Sequence, residues 1–250
     1  MKPTLLGTIL LLFMTIHSFG QKATQSYTIH VDYVKPSMTM EYEKISKELV
    51  AASKAHGLNV GWLAMVTEGF DYYYVTPIPN MAELDKNWFA PLAEKMGKEK
   101  LADLFSRMDK CYDDHVNYIL SMDSELSYMP NGLTQTPQGQ PFRKNTIYYI
   151  APENYSKAEQ LAKDYKTLFA QKNSAVHYRV YRSGYGTEGT YFMVAVAAKN
   201  AADYERMSAA NQQLLGKEGA ALNVRMMSLI SDMKTITGYI REDLSYRPMK

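Results

Sequence analysis

Alternating apolar positions give way to apolar positions every three or four residues, and this rhythm runs through the chain twice. Residues 27–34, "YTIHVDYV", alternate as a strand does and are closed by Lys35-Pro36. Tyr42, Ile45, Leu49 and Ala52 then fall at helical spacing and predict a helix with one apolar stripe. Ser37 is placed to cap its start and Gly57 its end. Residues 59–66 and 70–77 read as two strands separated by Thr67-Glu68-Gly69, a link so short that the strands must be antiparallel neighbours. Helical sequence fills residues 81–115, with Pro91 expected to bend or interrupt it. A strand over 116–128 closes the series.

The series then restarts. "TIYYIAP" (146–152) is strand-like and stopped by proline, and Ala158, Leu161, Tyr165 and Leu168 repeat the helical stripe, with Asn154 or Ser156 available as cap. Strands over 175–182 and 190–197 flank the glycine-rich "SGYGTEG", a hairpin loop between strands rather than a phosphate cradle. A long helical stretch and a final strand, 234–246, complete it. Two short phrases mark the repeat. "DSELSYMP" (123–130) and "REDLSYRP" (241–248) both write Leu-Ser-Tyr-x-Pro after acidic residues, at an offset of 118 residues. The polar, Gly- and Pro-containing residues 131–141 read as a linker between a first unit, 26–130, and a second, 142–250.

Strand, helix, strand, strand, helix, strand makes a four-stranded antiparallel sheet with helices on one face, as in ferredoxin-like folds. The bare face needs a cover, and a second copy in the same chain supplies it. The expected class is α+β, two tandem ferredoxin-like βαββαβ units packed sheet to sheet as a pseudo-dimeric α+β barrel. In element order and duplication the chain resembles the dimeric α+β barrel superfamily, which includes antibiotic-biosynthesis-monooxygenase-like domains, NIPSNAP-type proteins, chlorite dismutases and small haem-degrading monooxygenases. Two separate ferredoxin-like domains, each pairing with another chain, satisfy the same pattern and leave room for a homo-oligomer.

Composition narrows the setting. Residues 1–20 combine Lys2, an apolar run and the small pair Ser18 and Gly20, a signal-peptide pattern that predicts an exported, periplasmic or extracellular protein. The apolar run is too short to span roughly 30 Å of hydrocarbon, so no membrane span is expected in the mature chain. A formal net charge of +2, without a basic stripe, carries no nucleic-acid footprint. Cys111 is the single cysteine, so no intrachain disulfide forms. Twenty Tyr and sixteen Met suit broad apolar surfaces with polar edges, in a core or around a ligand.

Candidate chemistry follows from strand alternation. If Ile29, Val31 and Tyr33 pack under the helices, His30 and Asp32 face the barrel lumen. On the strand from residue 175, Val176, Tyr178 and Val180 form the apolar set, leaving His177, Arg179 and Tyr181 opposite. His30, Asp32, His177, Arg179 and Tyr181 are thus candidate ligand-binding residues in one lumen, although each pattern also suits a surface pair or a cross-strand contact. The repeat does not duplicate them: Tyr148 maps onto His30 and Ile150 onto Asp32. "CYDDH" (111–115) is a polar helix end with too few ligands for a structural zinc site, and no metal site is assigned. No dinucleotide, phosphate-loop, zinc-protease or serine-hydrolase motif is written. The leading reading is an exported protein holding a small, partly apolar molecule between its two repeats. The resemblance implies an alternative, a monooxygenase-like or haem-handling enzyme using that cavity with His30 or His177 as base or axial ligand. A structural protein with a packed lumen is the third.

Overall fold

A computed structural model describes residues 24–248 of the chain. The expected signal peptide, residues 1–20, lies outside the described residues. Eight strands and five α-helices follow the order expected. They are β1 (Thr24–Val34), α1 (Thr39–Ala55), β2 (Leu63–Thr67), β3 (Asp71–Ile78), α2 (Ala90–Met96), α3 (Lys98–Met108) and β4 (Tyr112–Tyr128). The second series is β5 (Phe142–Ile150), α4 (Tyr155–Gln171), β6 (Tyr178–Ser183), β7 (Tyr191–Ala198), α5 (Ala201–Leu229) and β8 (Ile230–Ile240). All eight strands close into one antiparallel barrel, ordered β1-β3-β2-β8-β5-β7-β6-β4. Within each series the order is the same: fourth strand, first, third, second. Closure removes the sheet edges that either half would expose alone.

Boundaries shift where local chemistry demands it. Pro91 stands in the first turn of α2 rather than inside a helix, a position where its missing N–H costs nothing. Residues 112–115, read above as a helix end, already belong to β4, so "CYDDH" straddles a turn and a strand. Helix α5 is two helices merged across Gly216, whose φ of 55° and ψ of −139° are not helical.

The repeated Leu-Ser-Tyr fastens the halves together. Leu126 and Leu244 are both fully buried. Ser127 Oγ donates to the carbonyl of Asp123 and accepts from the backbone N–H of Val180 in the other half. Ser245 Oγ likewise donates to Arg241 O and accepts from Ala64 N, again across the halves. Tyr128 Oη donates to Ser174 O at 3.3 Å, and Tyr246 Oη to Leu58 O at 2.7 Å. Each copy therefore satisfies backbone groups of the opposite half at the two seams, β4–β6 and β2–β8.

Three cores result. One lies between the first-half sheet and α1–α3, with Tyr42 and Ile45 fully buried. A second lies between the second-half sheet and α4 and α5. The third fills the lumen, built from Tyr27, Ile29, Val31, Leu120, Met122, Ile147, Tyr181, Tyr191 and Ala195. Burying an aliphatic or aromatic side chain of this kind contributes roughly 1.5–3 kcal/mol. The lumen retains a cavity of only about 70 Å³, room for about two waters at roughly 30 Å³ each. An open ligand chamber between the repeats, the expectation from sequence, is not what the barrel holds.

Candidate functional site

The larger spaces lie outside the barrel, between each sheet and its helices. In the first half a cavity of about 590 Å³ is walled by Trp62, Trp88, Phe89, Phe105, Tyr74 and Tyr112, with His30, Asp32, Ser46 and Asn117 among its polar groups. Both tryptophans of the chain line it. Tyr185, on the loop between β6 and β7, reaches it from the other half. That loop lies so close to β4 that a Cβ at Gly184 would stand 2.9 Å from Ile119 O, and one at Gly186 2.8 Å from Asn117 O.

His30 and Asp32 reach this cavity because β1 is oriented opposite to the expectation. Tyr27, Ile29 and Val31 face the lumen, and His30 and Asp32 face the helices. Both faces of a barrel strand are covered here, so alternation separates the faces without saying which is inside. On β6 the expectation holds: Tyr178 and Val180 pack under the helices, while Arg179 and Tyr181 line the lumen. His177 precedes β6 and packs edge-on against the Tyr128 ring, centroids 5.8 Å apart. The five candidate residues therefore do not converge. They divide into His30 with Asp32 in the aromatic pocket, Arg179 with Tyr181 in the lumen, and His177 apart from both.

Asp32 is 2% exposed and held from two sides. Tyr42 Oη on α1 donates to its Oδ2, and His30 Nε2 lies 2.9 Å from its Oδ1. Tyr42 and Tyr74 hydroxyls are 3.0 Å apart, Ser46 Oγ lies 3.4 Å from Tyr74 Oη, and Ser46 donates to Tyr42 O. His30 Nδ1 is 2.8 Å from Asn117 Oδ1, on the neighbouring strand. Burial works against a charge on His30, but the Asp32 carboxylate and the Asn117 amide outweigh it, and the imidazole pKa is raised above its usual 6.5. Tyr74 is pushed up to about 12, chiefly by burial and partly offset by its bonds with Ser46 and Tyr42. Tyr42 is raised well above the usual tyrosine value by burial and then by Tyr74 and Asp32. Both tyrosines thus stay protonated and donate. The hydroxyls of Tyr42 and Ser46 were not singled out from sequence. Tyr42 sits on the apolar stripe of α1, and its hydroxyl gave no signal of its own.

The arrangement can bind a flat, partly apolar molecule and exchange a proton with it. As placed, His30 Nδ1–H donates to Asn117 Oδ1 and Nε2 faces the Asp32 carboxylate. Moving the ring proton to Nε2, toward Asp32, turns Nδ1 into an acceptor once Asn117 moves away. Asn117 is exposed and can be displaced from Nδ1 by an incoming hydroxyl or acidic C–H. Haem fits less well. A haem iron takes His, Cys, Met or Tyr. Among the described residues His30 is the one histidine lining the first-half cavity, and its Nε2 is turned to the Asp32 carboxylate. No His or Cys among them lines the second-half cavity described below.

The second half holds its own cavity of about 530 Å³ between sheet and helices, lined by Tyr148, Ile150, Ala158, Ala162 and Phe192 among others. The charged pair is absent from it.

No family model and no curated protein sequence matches the chain. Solved structures do. An anthrone oxidase-like protein aligns over 87% of this chain and 92% of its own, with a TM-score of 0.58 at 10% identity. A monooxygenase-like protein from Fusobacterium nucleatum aligns over 92% and 100%, with a TM-score of 0.56 at 12% identity. A variant chlorite dismutase from Candidatus Nitrospira defluvii aligns over 88% and 94%, with a TM-score of 0.51 at 10% identity. Closed eight-stranded barrel, outer helices and coverage agree, and the chain has the fold of the dimeric α+β barrel superfamily with both halves of the barrel in one polypeptide.

Proposed function

We propose that this protein is a monooxygenase-like enzyme that binds a planar, partly apolar aromatic molecule in the first-half pocket and takes a proton from it with His30, supported by Asp32. The observation that carries the reading is buried Asp32 paired with partly exposed His30 in an aromatic-walled cavity of about 590 Å³. Paired imidazole and carboxylate groups in a low-dielectric pocket are the arrangement general base chemistry needs. The substrate proton passes to Nδ1 of His30, and Asp32 offsets the charge that forms on the ring. Deprotonation leaves an electron-rich aromatic oxyanion, the form that gives electrons to dioxygen most readily. Tyr42, itself braced by Tyr74, holds Asp32 in place, and Trp62, Trp88 and Phe89 supply stacking surface. The solved relatives named as an anthrone oxidase-like and a monooxygenase-like protein support this class over a purely structural role.

Two further parts of the reading rest on other features. The identical strand order in each half supports two tandem ferredoxin-like units, 26–130 and 142–250, joined by 131–141. Residues 1–20 support export, with the enzyme working outside the cytoplasm.

The test uses the placement of both tryptophans. Titration of the full mature chain with anthrone- and hydroxynaphthalene-type aromatics is expected to quench Trp fluorescence, and oxygen uptake is expected with at least one of them. Oxygen uptake in Asp32→Asn or His30→Gln should fall by about 10²-fold or more, with quenching retained. Quenching without oxygen uptake would instead favour a ligand-binding protein, a reading the uncharged second pocket suits. Full turnover in both variants would remove the pair from any mechanism.

A further inference from the structure

At the linker end of the barrel lumen lies a constellation unconnected to the aromatic pocket. Arg143 on β5 is 4% exposed and Arg179 on β6 is 2% exposed, and both line the small lumen cavity of about 70 Å³. Their acceptors are carbonyls. Arg143 donates to Gln140 O at 2.5 Å, Phe142 O at 2.9 Å and Gln135 O at 2.5 Å. Arg179 donates to Thr134 O at 2.8 Å and Ala195 O at 3.5 Å. Among the described residues neither guanidinium forms an ion pair, and residues 1–23 contain no Asp or Glu. The field of Glu242 reaches Arg143, but that carboxylate is itself exposed and paired with Arg247 at 2.9 Å.

Two buried positive charges sharing one cavity are costly unless something negative joins them. The linker carbonyls satisfy N–H groups; they do not neutralise charge. Arg179 Nε is buried without a hydrogen-bond partner, and the amides of Gln135 and Asn145 line the same cavity. We propose that the barrel lumen binds a small monovalent anion between Arg143 and Arg179, of halide size or a small planar oxyanion such as nitrate or formate. The cavity volume sets the class: it admits one such ion and excludes organic phosphates or dicarboxylates. Burial, then the neighbouring Arg179, already holds the Arg143 pKa down at about 9, the penalty an anion would relieve. Two waters fill the same volume but leave both charges uncompensated. Because residues 134, 135 and 140 bind these arginines, the anion also ties the linker across the barrel mouth, joining the two halves at a point away from the Leu-Ser-Tyr seams.

The experiment is diffraction from the full mature chain, refolded and crystallised in sodium bromide, with anomalous scattering measured at the bromine edge. A bromide peak within contact distance of both guanidiniums is expected; its absence from the lumen overturns the proposal. Thermal unfolding after refolding in chloride, bromide, nitrate, formate or gluconate at equal ionic strength separates halide from oxyanion preference. The small anions should raise Tm saturably over gluconate. Arg179→Met should abolish that dependence while Arg179→Lys retains part of it. Equal Tm in all five salts counts against the site, whether or not either variant folds. Neither outcome bears on His30 or Asp32, so the aromatic-pocket reading stands or falls separately.

Discussion

The two sheet–helix pockets occupy equivalent places and have opposite chemistry. In the first half the network is His30, Asp32, Tyr42, Ser46 and Tyr74. At corresponding positions the second half has Thr146, Tyr148, Ala158, Ala162 and Val194, of which all but Thr146 line its cavity. Strand pairing shows the correspondence directly: β1 and β5 break register at Val34 and Ile150, whose N–H groups donate to Phe70 O and Thr190 O. Asp32 opposite Tyr72 therefore matches Tyr148 opposite Phe192. Wherever the carboxylate stands, a tyrosine from the facing helix is present to hold it. Where Tyr148 replaces it, the helix position shrinks to Ala158 and the cavity is uncharged. A buried charge and its partners are retained or lost as a set, because any one alone would be an unsatisfied polar group. With both halves of the barrel in one chain this division is possible, which a symmetric homodimer cannot have.

The comparison can be broken most forcefully by moving the charge. Tyr148→Asp places a carboxylate where no counterpart of the Tyr42 hydroxyl exists and should destabilise the protein by about 3 kcal/mol or more, read by urea unfolding. Adding Ala158→Tyr should recover part of that loss, since it restores the donor that Tyr42 supplies in the first half. Next in size, Asp32→Asn should shift the pH dependence as well as lower the rate. Neutral His30 is the active form, so oxygen uptake rises as pH climbs through its raised pKa. Without the carboxylate that pKa falls and the rise moves to lower pH, which a pH–rate profile measures.

Smaller effects sharpen the seams. Tyr246→Phe removes the 2.7 Å bond to Leu58 O and should cost about 1 kcal/mol. Tyr128→Phe, at 3.3 Å, should cost less in the same assay. Least of all is the contribution of His30 itself, whose side chain is 37% exposed and therefore screened. Burial opposes its charge and Asp32 favours it, and the folded pKa ends above the unfolded one. That stability is fully present below the unfolded value and fades as pH rises through the folded value. As pH rises above the usual histidine value of about 6.5, the chain should lose slightly more Tm than His30→Gln does.

Much of the barrel was legible because periodicity is local. The stripe of Tyr42, Ile45 and Leu49 and the alternation of residues 27–34 need only their neighbours to be read, and closure follows from two half-covered sheets in one chain. Leu-Ser-Tyr revealed duplication, yet its use as a cross-half fastener was hidden, since the partners of Ser127 and Tyr246 lie 53 and 188 residues away in sequence. The site was half legible. His30 and Asp32 stood out as a pair, but their inward orientation was wrong, and Arg179 was right in direction without being near them.

By itself, the sequence determined the number and kind of elements, their duplication, and which residues share a strand face. Only the tertiary structure decided which face is inside, because a barrel strand is buried on both sides and hydrophobicity no longer marks the interior. It also decided that Asp32 meets Tyr42 and that Arg143 meets Arg179, since such partners are chosen by packing between distant segments rather than by spacing along the chain.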